Sequence, residues 1–351
     1  MSLLIDIKKE IGVFHLDVHF SSDTGTTALL GPSGSGKSVT LRCIAGILTP
    51  DEGRILLNGR TLFDSEKEIN LPPQKRRVGY LFQQYALFPN MTVRRNIKAA
   101  AACSAILPSR ADASRKTEEL LTRFHLQDVA GKYPRQLSGG QQQRAALARI
   151  FASEPEAILL DEPLSALDNW LSWQLEQELS DTLSSFLGPS LWVTHDRGEA
   201  VRNCKKVCLM KNGCTGDVLP MEEFFSHPGT VFAARISGCK NIIAAVPEED
   251  KVFLPPWNLT LECGRPLPQD TAAAGLRVHH LHPAFPGETN AFPCRVQKVT
   301  PDVFCDLLTL IPEGSVAYTP VLYLECEKGR FSPGDRMEAA IRPQDILILK
   351  D

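Results

Sequence analysis

Polar and apolar residues alternate twice near the start of the chain, over Leu3-Leu4-Ile5-Asp6-Ile7 and over Val13-Phe14-His15-Leu16-Asp17-Val18-His19-Phe20. A period of two is that of a half-buried strand, so the two runs are expected to pair antiparallel and lead into a third. That third run, Thr26-Thr27-Ala28-Leu29-Leu30, is a buried-strand candidate. Beyond it the period lengthens, and Val39–Ala45 carries apolar residues at helical spacing. Further strands are expected at Arg54–Leu57, Val78–Phe82, Ala157–Leu160 and Ser190–Thr194. Helices are expected within a helix-rich stretch from Thr92 to Tyr133, over Gln142–Ile150 and over Trp170–Leu183. Past Pro228 the pattern changes to short β-rich runs separated by Pro- and Gly-containing turns: Ile242–Val246, Cys294–Val299, Val321–Cys326 and Ile346–Leu349. Runs of that kind are expected to close into a small barrel.

Length sharpens the picture, because 351 residues exceed one ordinary core and favour two domains. A hydrophobic fraction of 43% beside 23% charged residues is that of a globular protein. No apolar run reaches the ~18 residues that cross a bilayer, and the N-terminal segment carries Asp6 and Glu10 where a secretory signal would be apolar. A cytosolic chain that does not itself span a membrane is expected. The net charge of −3 argues against a nucleic-acid binder working by bulk electrostatics. Ten cysteines include no C-x-x-C pair, and the tightest grouping is Cys204, Cys208 and Cys214. They read as reduced thiols rather than a zinc site.

The candidate chemistry sits where strands meet helices. Gly31-Pro32-Ser33-Gly34-Ser35-Gly36-Lys37-Ser38 fits G-x-x-x-x-G-K-[ST] in full, with the expected strand before it and helix after it. Such a loop turns successive N–H groups toward a phosphate at the positive end of a helix dipole. Lys37 would reach the β- and γ-phosphates, and the Ser38 hydroxyl would ligate Mg²⁺. Asp161 and Glu162 follow the strand at Ala157–Leu160, at the edge where ligands bind in open α/β sheets. Asp161 suits the Mg²⁺ shell and Glu162 suits a base for an attacking water. Gln83 ends another strand and can offer its amide oxygen to a metal or orient a water, and His195 ends a third. Ser138-Gly139-Gly140-Gln141 opens a helix as a second anion-binding arrangement. Phe14 reads equally as a ring lying flat on a nucleotide base and as a core aromatic.

In this order the motifs resemble those of the nucleotide-binding subunit of ATP-binding-cassette (ABC) transporters, over residues 1–232. GPSGSGKS matches the family's Walker A loop, Gln83 its Q-loop, LSGGQ at 137–141 its signature, ILLDEP at 158–163 its Walker B segment with the catalytic glutamate, SALD at 165–168 its D-loop and His195 its switch histidine. The resemblance implies an α/β P-loop ATPase domain, with N-terminal antiparallel strands and a helical subdomain, that uses ATP and Mg²⁺. Catalysis would rest on Glu162, His195, Lys37 and Gln83, with Ser38, Gln83 and Asp161 around the metal. It implies a homodimer in which Ser138, Gly139 and Gly140 complete the site of the opposite subunit, with Gln141 and Asp168 also counted among the nucleotide-binding residues. It also implies separate membrane permease subunits, an extracytoplasmic solute-binding protein and no nucleic acid, with the chain peripheral on the cytoplasmic face of the membrane.

Residues 233–351 are similar to the oligomer-binding-type (TOBE/Mop) barrel appended to importer ATPases for oxyanions, sugars, polyamines and iron. Ser237-Gly238-Cys239-Lys240-Asn241-Ile242 looks like the opening of the molybdate-binding version, and 275–281 and 340–346 are similar to its later strands. Lys240 and Asn241 read either as ligands for a tetrahedral oxyanion or as a surface turn. His279, His280 and His282 read as structural rather than metal-binding, because adjacent strand residues face opposite ways. The reading favoured is an importer ATPase for molybdate, tungstate or sulfate. The alternatives are an iron(III), polyamine or sugar importer, a soluble ABC ATPase and an oxyanion sensor.

Overall fold

A computed structural model describes residues 1–351 except 105, 108, 166–168 and 317–318, and the side chains of 169–172 and 174. It divides into two compact units, Met1–Met221 and Glu222–Asp351. In the first, an eleven-stranded mixed sheet runs in the spatial order Ile69–Asn70, Arg60–Asp64, Glu52–Leu57, Ser2–Ile11, Phe14–Asp23, Cys214–Pro220, Lys206–Lys211, Gly25–Leu30, Pro189–Thr194, Ala157–Asp161, Val78–Leu81. The last five are parallel, and the first five form the expected antiparallel wing, its opening hairpin closing at the Ile11–Phe14 pair. Burial follows the residue pattern. Phe14–Asp23 alternates between buried and outward positions, whereas Ala157–Asp161 and Pro189–Thr194 are buried throughout, as befits strands covered on both faces.

The parallel strands all deliver their C-terminal ends to one edge. Gly25–Leu30 hands over there to the phosphate-loop helix Lys37–Ala45, Ala157–Asp161 to Glu162, and Pro189–Thr194 to His195. The helical insert is formed by Val93–Ala102 and Arg110–Arg123, which pack on each other and on Gly139–Ala152. Each of these three helices starts at a hydroxyl, that of Thr92, Ser109 or Ser138, which accepts from the backbone N–H of Arg95, Asp112 or Gln141 respectively.

In the second unit, His282–Pro283, Arg336–Ala340, Phe292–Pro301, Asp306–Pro312 and Leu322–Cys326 form a five-stranded antiparallel sheet. Its two edge strands approach each other, giving a nearly closed, OB-like barrel. Val252, Leu254 and Leu261 from a three-stranded sheet beside it, with Trp257 from the short turn Pro255–Trp257 between two of its strands, complete the core. The unit begins at Glu222, ahead of the change in pattern past Pro228 and eleven residues before 233, where the resemblance to the appended barrel starts. The helices Met221–Ser226 and Val231–Ile236 explain the difference. Val231 N–H donates to the Lys350 carbonyl, and Arg277 donates to the Phe225 carbonyl at 2.5 Å, so this segment belongs with the barrel.

Candidate active site

Backbone geometry at the phosphate loop is dictated by crowding beneath it. Gly36 has φ +108°, and a Cβ there would lie 2.8 Å from Leu16 Cδ1 and Met210 Cε and 3.0 Å from Phe14 Cζ. Only glycine fits such a site. The turn leads into Lys37, which is buried and donates to the carbonyls of Gly31 and Pro32, both at 2.9 Å. Burial lowers the Lys37 ammonium from the ordinary lysine range, and the Glu162 and Asp161 carboxylates act in the opposite sense. Ser35 Oγ is buried with no partner among the described residues.

Two carboxylates one residue apart have opposite settings. Asp161 is buried and both its oxygens are engaged, Oδ1 by the Ser38 hydroxyl and Oδ2 by the Tyr80 hydroxyl, each at 2.7 Å. Burial, and then the charge on Asp161, push the Tyr80 phenol well up, so it remains a donor at neutral pH. Glu162 is half-buried and held in left-handed backbone at φ +47°, its N–H bonded to the Val193 carbonyl at 3.0 Å. A non-glycine residue in that region is strained, and here the strain swings the carboxylate out of the sheet. Its Oε1 lies 3.1 Å from Nδ1 of the exposed His195. Gln83 Nε2 donates to Ser165 Oγ at 3.3 Å, and Ser165 Oγ donates to the Glu162 carbonyl at 3.0 Å.

Loop, helix start and carboxylate line one cleft of about 380 Å³, with Ser33, Gly34, Gly36, Lys37, Ser38 and Glu162 at its polar end and Ile11, Phe14 and Val39 along its apolar wall. A phosphorylated ligand with a flat apolar head matches both ends. The signature residues are not part of this lining: among the described residues around the cleft none comes from 137–141. Ser138 and Gln141 form a reciprocal capping box, Oε1 of Gln141 accepting from Ser138 N at 3.1 Å and Ser138 Oγ accepting from Gln141 N.

A family model described as "ABC transporter" matches residues 16–165. The molybdenum import ATP-binding protein of Paramagnetospirillum magneticum is 32% identical over 97% of this chain and 97% of its own length. The chain belongs to the ABC transporter family. The sulfate/thiosulfate import ATP-binding protein of Halalkalibacterium halodurans is 34% identical over 94% of this chain and 92% of its own. A solved ATP-binding cassette, dimeric in a post-hydrolysis state with ADP and Pi, is 28% identical with a TM-score of 0.53, covering 63% of this chain and 99% of that one. As an ABC importer ATPase, the chain binds and hydrolyses ATP.

Other residues expected to act on ligands behave differently in this ABC ATPase. Asp168 lies outside the described residues. Asn241 is buried and engaged: its amide donates to the Leu276 and Tyr323 carbonyls, and its oxygen accepts from Tyr323 N, all within 2.9 Å, so it ties two sheets of the second unit together. A buried amide with those bonds made has little left to offer an oxyanion. Lys240 is exposed. His282 bonds Glu288 Oε1 at 2.7 Å, and His279 and His280 meet edge to face; no metal-holding cluster occurs among the described residues. The sequence pattern gives no site role to Tyr80 or Ile11, and for Ser165 only its place at the head of the SALD segment. Tyr80 had a signal, since it pairs with Leu159 and therefore shares a sheet face with Asp161 two residues on, but that register is visible only once the strands are paired.

Proposed function

We propose that this chain is the ATP-hydrolysing subunit of an oxyanion importer for molybdate, tungstate or sulfate. It works as a homodimer on the cytoplasmic face of the membrane, against separate permease subunits supplied by an extracytoplasmic solute-binding protein. The observation that carries the ATPase half is the meeting of Lys37, Ser38, Asp161, Glu162 and His195 at one sheet edge. The substrate half is supported by the molybdenum and sulfate relatives, whose similarity continues through the second unit rather than ending with the cassette.

In this reading the chain's groups divide the work. N–H groups of residues 31–38 and the Lys37 ammonium hold the phosphates. Ser38 and Asp161, two hard oxygen donors already 2.7 Å apart, fit Mg²⁺, and Tyr80 orients Asp161 for it. When bound, Mg²⁺ neutralises charge on the β- and γ-phosphates. Glu162 accepts the proton of the attacking water, and His195 and Gln83 steady the carboxylate and its loop. Phe14 and Ile11 cover the base. Ser138, Gly139 and Gly140 close over the partner subunit's nucleotide, and Gln141 acts as their cap. The apolar groove along Phe82, Ala86, Phe88, Ala99 and Ala100 offers the permease a seat.

The test is uptake of labelled molybdate, tungstate and sulfate by cells lacking the gene, complemented with the wild-type or the Glu162→Gln form. Restoration of oxyanion uptake by the wild type alone is the expected result. Unaltered oxyanion uptake with loss of iron(III), polyamine or sugar uptake would overturn the substrate assignment.

A further inference from the structure

Two residues after Gln83 the backbone does something uncommon. Tyr85 and Ala86, neither of them glycine, are both left-handed, with φ +58° and +46°. Local bonds close the turn, Tyr85 N donating to the Phe82 carbonyl at 2.9 Å and Ala86 N to the Gln84 carbonyl at 2.6 Å. Two consecutive L-residues hold this conformation only where surroundings over-determine it.

Arg149 supplies that constraint. Its Nη1 donates to the Ala86 carbonyl at 2.5 Å and its Nη2 to the Tyr85 carbonyl at 3.3 Å, with the guanidinium 5.5 Å from the Phe88 ring centroid. Among the described residues no carboxylate pairs with it, and these are the hydrogen bonds that join residues 82–90 to the helix Gly139–Ala152. The planar fork thus reads two successive carbonyl directions that only the left-handed pair presents together. Upstream of the turn, Gln83 reaches Glu162 through Ser165; on the same helix as Arg149, ten residues earlier, begins the segment capped by Ser138.

We propose that Arg149 is a positioning residue for ATP hydrolysis: it clamps the Tyr85–Ala86 turn and thereby holds Gln83 against Ser165 and Glu162. This rests on the reading of Gln83 and Glu162 as catalytic groups. Without the clamp the turn relaxes to ordinary backbone, Gln83 swings away, and the phosphate loop, which Arg149 does not touch, still binds nucleotide.

Three purified full-length variants test it: Arg149→Ala, Arg149→Ala combined with Ala86→Gly, and Gln83→Ala. The single Arg149 variant is expected to lose roughly tenfold in kcat while MgATP affinity, read with a fluorescent nucleotide, stays within about twofold. Glycine adopts the left-handed turn unaided, so the double variant is expected to regain most of the lost turnover, a rescue that a general loss of stability would not allow. Should Arg149→Ala not fold, Arg149→Lys replaces it, with intermediate turnover and faster amide exchange at Tyr85 and Ala86 expected. Unchanged kcat in Arg149→Ala, no recovery in the double variant, or unaltered exchange in Arg149→Lys overturns the proposal. Full turnover in Gln83→Ala removes Gln83 from catalysis, whereas impaired Gln83→Ala beside a normal Arg149 variant removes Arg149 alone.

Discussion

Asp161 and Glu162 differ by one methylene and one step along the chain, yet the fold gives one a fixed set of partners and the other freedom to face a cleft. Glu162→Gln keeps the shape and removes the basic oxygen. It is expected to bind MgATP and still dimerise while hydrolysis falls by about two orders of magnitude or more. Single-turnover kinetics beside a nucleotide-binding assay check this, and near wild-type turnover would sink the assignment. Tyr80→Phe removes a donor from a buried carboxylate, a change worth about 1.5–3 kcal/mol, and it should also raise the Mg²⁺ concentration needed for half-maximal turnover. Urea denaturation and a Mg²⁺ titration read the two effects separately. Burial pushes the thiols of Cys43 and Cys208 up to about 12, so at pH 7 the reactive thiolate is scarce as well as hidden. Iodoacetamide with peptide mapping should modify the exposed Cys103 and Cys214 and leave those two intact.

At the scale of elements, polar side chains do joining work that hydrophobic periodicity does not reveal. Arg76 is fully buried and donates to the Cys43 and Ile44 carbonyls near the end of the phosphate-loop helix, to the Leu71 carbonyl and to Asn70 Oδ1. It occupies the negative end of that helix dipole while the loop occupies the positive end. Asn241 plays the corresponding part in the barrel, between the strands Ala273–Leu276 and Leu322–Cys326. Asn241→Ala would strand the N–H and carbonyl of Tyr323 and the carbonyl of Leu276. A loss of at least about 3 kcal/mol is therefore expected, at about 1–3 kcal/mol for each of the three unsatisfied groups. Differential scanning calorimetry of the full chain should show a lower unfolding temperature with cassette ATPase activity retained at 25 °C. An unchanged transition would return Asn241 to the oxyanion reading.

For the molecule as a whole, the separation of the signature turn from the cleft's lining supports a site completed by a second copy. Mixing Lys37→Ala subunits with Ser138→Arg subunits should then pair both lesions in one site of each heterodimer and leave the other intact. ATPase activity above either parent, measured across mixing ratios, is the expected outcome. Equal inactivity at every ratio, with heterodimers demonstrated, would count against shared sites.

What the residues alone determine here is local. The phosphate loop, the covered strands ending in Asp161 and His195, and the capped helix at Ser138 follow from patterns within a few residues, because strand period, glycine freedom and capping are short-range effects. What only the tertiary structure decides involves distant pairs. Tyr80 meets Asp161 through strand register, Arg149 meets the Tyr85–Ala86 turn across 63 residues or more, and Asn241 meets Tyr323 across 82. The boundary of the second unit moves to 222 for the same reason, since the pairing of Val231 with Lys350 joins opposite ends of that unit. Side chains can satisfy one another at any sequence separation once packing brings them together, and no periodicity along the chain records the partner.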